Sequence, residues 1–275
     1  MSSNTKTRVA IAGINGKMGR ASARAILADP ELALAGAFGK AGADYVGKDV
    51  GELASHLDTG ILVSNSIEDL LAGCHPDVLL DFTRAEAAVA HAKVALEAGV
   101  CPVVGTSGVG RQDVEELSKL AARAGVGAMI VPNFSVGAVL MMEFARQAGA
   151  YFGNVEIVEM HHTKKVDAPS GTAMYTAGKL DALGKTFNPR EVEEKELLSG
   201  ARGAVSASGV RVHSLRLPGL ISHQEVICGS PGELLTIRHD SFNTDCFVKG
   251  ILMSVKAVTG MKGLVSGLES LLCAG

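Results

Sequence analysis

The stretch HHTKKVDAPSGTA (161–173) gathers the groups best able to do chemistry in this chain. Two histidines, two lysines and an aspartate fall within its first seven positions, and a proline, serine, glycine and threonine follow. An imidazole exchanges protons near neutral pH, and an ammonium can both neutralise a carboxylate and donate a proton. Pro169 suits the first turn of a helix that Ser170 or Asp167 can cap. Gly171 and Thr172 would then offer backbone N–H groups and a hydroxyl at the helix N-terminus, a setting that favours an anion. Lys165 adds a full positive charge beside it. His161 and His162 end the alternating run VEIVEM, so they face opposite sides unless the strand stops or bulges there. A lone lysine and histidine near a helix start are ordinarily surface residues. It is the combination that points to a site binding or transforming an anion. The histidines lack partners at ligand spacing, so no metal is expected.

A second constellation, GINGKMG (13–19), directly follows a strand-like run and opens a helical one. Gly13 permits the tight turn, Gly16 lets a phosphate approach the backbone, and Gly19 lets the helix pack on the sheet. Such a loop can be a simple turn, but strand–turn–helix context argues for a dinucleotide. Dinucleotide folds usually carry an acid at the end of the second strand to hold the ribose hydroxyls. Here that end reads AFGK, with Gly39 at the acid's position and Lys40 next to it. Without a carboxylate to repel a 2′-phosphate, and with Lys40 able to pair with one, NADPH is expected, with NADH also accepted. Asp44 swinging in would reverse that preference.

Alternating strands and helices must hold these loops. RVAIAG (8–13), LALAGAF (32–38), ILVS (61–64), DVLLDF (77–82), PVVG (102–105) and AMIV (128–131) read as short buried strands. Helical runs lie between them: one runs to about Ala28 and is stopped by Asp29-Pro30, and others cover 84–99 and 111–125. This predicts an α/β fold with a Rossmann-like parallel sheet. After Pro132 the pattern changes. A helix over 135–152 leads into a strand over 155–162 and a helix over 170–184. A charged loop with a helical turn is expected over 188–203. GVRVHSLRL, SHQEVIC and LLTIRHD read as antiparallel strands, the last two joined across GSPGE. The second unit is therefore expected to be an α+β domain with an open mixed sheet. The tail from Thr244 to Leu272 reads as helical and returns to the first domain. The expected division is 1–132 with 243–275 for dinucleotide binding, and 133–242 for substrate binding and oligomerisation.

Composition narrows the function classes. The formal net charge is −3 with mixed signs, and no basic stripe suits a nucleic acid. No apolar run approaches a membrane span, and the N-terminus does not read as a secretory signal. Five widely spaced cysteines, Cys74, Cys101, Cys228, Cys246 and Cys273, fit reduced thiols in a cytoplasm. Cys101 and Cys228 are expected in the core.

EMHHTKKVDAPSGTA closely resembles the E-x-H-H-x-x-K-x-D-x-P-S-G-T signature of the 4-hydroxy-tetrahydrodipicolinate reductase (dihydrodipicolinate reductase) family of lysine and diaminopimelate biosynthesis. GINGKMGR, DFT (81–83), VGTSG (104–108) and NFSVG (133–137) resemble further blocks in the family's order, so the likeness runs along nearly the whole chain. It implies NAD(P)H-dependent reduction of a cyclic imine dicarboxylate, in which loss of water gives a conjugated imine that accepts a hydride and a proton. His161 corresponds to the family's acid–base histidine, Lys165 to its catalytic lysine, and His162 to a substrate-binding histidine. Gly171 and Thr172 match residues that hold a substrate carboxylate. Gly13, Asn15, Gly16, Lys17, Met18 and Gly19 match the nucleotide loop. Asp81, Phe82 and Thr83 fall beside the cofactor, and Gly105, Thr106 and Ser107 near the nicotinamide. Pro132, Asn133 and Phe134, with Ser135, match the hinge region, the first three also counted with the cofactor. Family members are homotetramers joined through sheets of the second domain, and two domains flanking a cleft imply closure on both ligands. Two positions depart from the pattern. Gly39 replaces the nucleotide acid, and Asn243-Thr244 stands where a Ser-Arg pair is common. The competing readings are another imine or carbonyl reductase on the same fold, and a catalytically silent dinucleotide sensor.

Overall fold

The computed structural model describes residues 5–55, 58–190 and 192–272; Cys273 lies outside them. The chain divides into two compact units, one running to Val136 and resuming at Thr244, the other spanning Gly137–Asn243. The sequence pattern places these divisions slightly earlier, after Pro132 and before Asn243.

In the first unit, strands β1 (Thr7–Ala12), β2 (Leu32–Phe38), β3 (Val63–Ser64), β4 (Val78–Asp81), β5 (Cys101–Val104) and β6 (Gly127–Ile130) alternate with helices α1 (Lys17–Ala28), α2 (Val50–Ala54), α3 (Ile67–Cys74), α4 (Ala85–Glu97) and α5 (Arg111–Ala124). Every residue of β4, β5 and β6 is buried. That is why they read as continuous apolar runs: a parallel strand is covered on both faces. One core lies between α4, α5 and the strands, with Leu96, Leu117, Val104 and Ile130 at its centre. Another forms around Leu70, Leu71 and Leu79.

The second unit begins with helix α6 (Val136–Gly149), strand β7 (Asn154–His161) and helix α7 (Gly171–Asp181). Strands β8 (Ala204–Val205), β9 (Arg211–Arg216), β10 (Ser222–Ser230) and β11 (Glu233–Ser241) complete a five-stranded sheet ordered β11-β10-β7-β9-β8. One face of this sheet packs Val155, Ile157, Val212, Val226 and Cys228 against Ala173, Ala177, Leu180 and Phe187. The β10–β11 hairpin turns at Gly232, whose φ of 88° favours glycine. Over 188–203 the described residues form turns and bends, with no helical turn.

Strand β9 corrects the antiparallel expectation, because it pairs parallel to β7 while β10 and β11 are antiparallel. Alternation marks a strand but not its direction; the long connection from α7 decides that.

The chain then returns to the first unit through a 3-10 turn (Thr244–Phe247), helix α8 (Val248–Val258), strand β12 (Gly263–Ser266) and helix α9 (Glu269–Leu272). Strand β12 corrects the all-helical reading of this tail. It adds a parallel edge to β6, giving the order β12-β6-β5-β4-β1-β2-β3. Gly263 and Gly267, at φ 76° and 81°, bound a run too short for periodicity to separate from the helices beside it.

Candidate active site

Alternate positions of β7 point into the core of the second unit, so Val155, Ile157, Glu159 and His161 share one face. Two apolar residues followed by two ionisable ones on a buried face require hydrogen-bond partners, and these are present. The Glu159 carboxylate, fully buried, accepts from Arg216 Nη1 and Nη2 at 2.8 and 2.7 Å. It also accepts from the Ser170 backbone N–H at 3.1 Å and meets His161 Nδ1 at 2.5 Å. Burial pushes this carboxyl up, but Arg216 and the other donors outweigh it and hold Glu159 below the ordinary range. Arg216 also donates to the carbonyl of Asp167 at 2.8 Å, tying the loop after β7 to β9.

The pKa of His161 is lowered. Burial is the largest cause, opposed by Glu159 and reinforced by Lys165 and Arg216. A neutral ring beside a carboxylate must carry its proton on Nδ1. Nε2 is therefore an acceptor, 3.0 Å from the Ser222 hydroxyl on β10. His162 is exposed, and its Nδ1 accepts from the Lys164 N–H at 3.2 Å. Lys165 Nζ pairs with Asp167 at 2.8 Å, and that contact holds the aspartate low.

Ser170 caps α7 by accepting from the Ala173 N–H at 3.2 Å. Pro169 precedes this cap, outside the first turn where the sequence pattern put it. Gly171 is exposed and Thr172 half-exposed at the helix start. The Thr172 carbonyl accepts from the Thr176 hydroxyl at 2.8 Å, which in turn accepts from the buried Gln224 amide at 2.8 Å. The first turn of α7 is thus pinned to β10, and its N-terminal N–H groups carry a partial positive charge.

In the first unit the remaining expected residues line the carboxyl edge of the parallel sheet. Chain order reverses there between β1 and β4, the usual ligand position in open α/β sheets. Gly13 ends β1 with φ 81°. The N–H groups of Phe82, Gly105 and Val131 are held by the carbonyls of Ala12, Asp81 and Val104 at 3.1, 2.8 and 2.8 Å, fixing the heights of successive loops. Gly105 lies against Phe82 and Phe134, whose rings meet edge to face at 5.8 Å. Asn133 closes its own turn by accepting from Ser135 N–H at 2.9 Å, after an exposed Pro132. Thr106 is half-buried and Ser107 exposed. The Asp81 carboxylate turns inward to His91 at 2.7 Å and to the N–H and hydroxyl of Thr83 at 2.7 and 2.6 Å. It shapes its own loop.

The glycine loop fits a pyrophosphate. Any Cβ on Gly19 would lie 2.3 Å from the Gly13 carbonyl oxygen, so helix and turn approach as closely as only glycine permits. Helix α1 has no side-chain cap, and Gly16, Lys17 and Met18 at its start are exposed or half-exposed. Arg20 grips the loop from behind, donating to the carbonyl and side-chain oxygens of Asn15. At the end of β2, Lys40 is exposed, and a Cβ on Gly39 would lie 2.4 Å from the Tyr45 ring.

The sequence pattern alone does not single out Glu159, Arg216 or Ser222 as site residues. A signal for the glutamate is present all the same: in VEIVEMH the inward positions read V, I, E, H. Arg216 and Ser222 sit on strands whose neighbours only the sheet order reveals. Among the described residues no cluster of metal-ligating side chains occurs, and no helix is long and apolar enough to cross a membrane.

Residues 7–134 match the family profile described as dihydrodipicolinate reductase, N-terminus, and residues 137–272 match its C-terminus. The chain is 44% identical over 268 residues to the 4-hydroxy-tetrahydrodipicolinate reductase of Synechococcus elongatus, covering 96% of this chain and 98% of that one. It is 45% identical over 273 residues to the enzyme of the same name from Thermosynechococcus vestitus, covering 98% of each. Among solved structures, a dipicolinate-bound dihydrodipicolinate reductase from Paenisporosarcina sp. TG-14 superposes with a TM-score of 0.88 at 38% identity, covering 97% of this chain and all of that one. An amine dehydrogenase from Mycobacterium smegmatis, at 16% identity and TM-score 0.66, shares the fold alone.

Proposed function

The chain belongs to the dihydrodipicolinate reductase family, and on that premise we propose that it reduces 4-hydroxy-tetrahydrodipicolinate to tetrahydrodipicolinate with a reduced pyridine nucleotide, in lysine and diaminopimelate biosynthesis. One observation carries the reading within the chain. A proton-exchanging imidazole, a cationic loop and the start of α7 are all tied to one buried carboxylate, Glu159.

The substrate is a cyclic imine with two carboxylates. Gly171 and Thr172 receive one carboxylate on the α7 N-terminus, and Lys165 neutralises its charge. His162, exposed beside them, adds a further donor. Loss of water from the substrate ring gives a conjugated imine, and a reduced nucleotide held by the first unit would supply the hydride. Electron density then moves towards the ring nitrogen and the enamine carbon, where a proton must arrive. Lys165 donates it, and His161 exchanges protons at Nε2 while Glu159 steadies the ring through Nδ1. Holding the dicarboxylate in one orientation contributes much of the acceleration.

In the first unit, Gly13, Asn15, Gly16, Lys17, Met18 and Gly19 hold the pyrophosphate. Asp81, Phe82 and Thr83, Gly105, Thr106 and Ser107, and Pro132, Asn133 and Phe134 form the rest of the nucleotide edge. NADPH is the preferred cofactor in this reading, with NADH also accepted. Gly39 presents no carboxylate to a 2′-phosphate, the Tyr45 ring fills the space beside it, and Lys40 is exposed for pairing. The second unit then serves substrate binding and assembly. The outward face of its sheet carries Val158, Met160, Ile227 and Leu234 among charged pairs such as Arg238 with Glu225. A homotetramer built on that face is our reading, in a cytoplasm that keeps the four described cysteines free. Supplying the upstream synthase's product and following oxidation of each reduced nucleotide tests the proposal. Substrate-dependent oxidation with a lower KM for NADPH is expected. Nucleotide binding without oxidation would instead favour a silent sensor.

A further inference from the structure

Ser222 is not part of the signature loop. It lies on β10, opposite His161 in the antiparallel register with β7. Its hydroxyl is 3.0 Å from His161 Nε2, while Glu159 lies 2.5 Å from Nδ1. Both ring nitrogens are therefore engaged, one by a fixed acceptor and the other by a group able to donate or accept. Taking the acid–base role of His161 as its premise, we propose that Ser222 is a positioning residue for that histidine. Its hydroxyl donates to Nε2 of the neutral ring, swings off that lone pair as Nε2 takes up a proton from the substrate side, and then accepts from Nε2–H of the imidazolium.

The ring can then gain and lose charge without moving. A carboxylate in place of Ser222 would pin the cation, and an apolar residue would leave Nε2 without a protein partner in either state. Hydrogen bonds to charged groups are stronger than those between neutral ones, so the hydroxyl favours the imidazolium more than the neutral ring. The other charged groups acting on the ring are Glu159 on its own strand, Arg216 on β9, and Lys165 in the following loop, itself paired with Asp167. Burial and the two cations lower the histidine's pKa; Glu159 opposes them, and Ser222 works in the same direction as Glu159.

The test compares wild type, Ser222→Ala and Ser222→Thr. Nitrogen-15 NMR titration of His161 in the free protein is paired with the pH profile of kcat. In Ser222→Ala the His161 pKa is expected to fall by about half a unit or more. kcat near neutral pH should drop several-fold, with KM little changed. Ser222→Thr, which keeps the hydroxyl, should restore both. Thermal melts confirm that each variant folds. A wild-type His161 titration in Ser222→Ala, or a threonine variant behaving like the alanine one, would overturn the proposal. The NMR arm needs no substrate, so a failure of the reductase reading, seen as an inactive wild type, stays distinguishable.

Discussion

Replacing Glu159 with glutamine tests how far one buried group organises the site. The carboxylate accepts from two guanidinium nitrogens, one backbone N–H and one imidazole nitrogen, and is fully buried. Glutamine keeps the shape but removes the charge, leaving Arg216 without its anion. Removing one partner of a buried ion pair costs about 3–5 kcal/mol. The Arg216 side chain is 19% exposed, so water recovers part of that. A loss of about 2–4 kcal/mol in unfolding free energy is expected. The amide can also donate to His161 Nδ1, which would move the ring proton to Nε2. Loss of general acid–base function then lowers kcat by roughly 10²–10⁴-fold. Dinucleotide affinity should stay within about twofold, because the glycine loop belongs to the other unit. Urea denaturation, steady-state kinetics and nucleotide titration read the three quantities. The double change Glu159→Leu with Arg216→Met separates stability from positioning. It should recover most of the stability, since apolar replacement of a buried pair is often neutral or better. It should not recover kcat. If Glu159→Gln kept wild-type stability and turnover, the organising role assigned to this carboxylate would be refuted.

Lys165→Ala should lower kcat by about 10²–10⁴-fold while leaving dinucleotide affinity nearly intact, as read by steady-state kinetics and nucleotide titration. Introducing an acid at Gly39 should shift preference towards NADH. Because a Cβ there meets the Tyr45 ring at 2.4 Å, Gly39→Asp is best made together with Tyr45→Ala, and the ratio of kcat/KM for the two nucleotides reports the shift. Stability should fall on acidification. His161 and His239 are held low by burial, so the unfolded chain binds more protons than the folded one. Their contribution is complete above the unfolded histidine pKa of about 6.5 and shrinks as pH drops below it. Burial raises Glu143, Glu156 and Glu159, yet their cationic partners bring them below the ordinary range. Their contribution is complete above the unfolded value of about 4.3 and is lost as pH falls through their folded values. Urea midpoints measured from about pH 8 to about pH 3 should decline in that order.

The parallel layer was legible because buried strands such as VLLD and CPVV carry unbroken apolar runs between amphipathic helices. The 32–38 strand and the helix ending at Ala28 coincide with β2 and α1. Ser66 and two acids in the first turn mark α3, a start signal that a strand-centred reading passes over. The direction of β9 was not legible, because its alternation is the same whether it runs parallel or antiparallel. Strand β12 was hidden by its brevity. At the site, the HHTKKVDAPSGT loop advertised its donors through residue type. The groups that hold them, Arg216 and Ser222, are ordinary residues made relevant only by sheet register with β7.

The central claim is that the loop after β7 and the start of α7 receive a carboxylate, with the glycine loop after β1 reserved for the nucleotide. The most direct measurement is a crystal structure with NADPH and pyridine-2,6-dicarboxylate bound. A ligand carboxylate is expected on Lys165 and the N–H groups of Gly171 and Thr172, and the pyrophosphate on Gly13 to Gly19. A dicarboxylate seated away from Lys165 and the α7 start would contradict that claim.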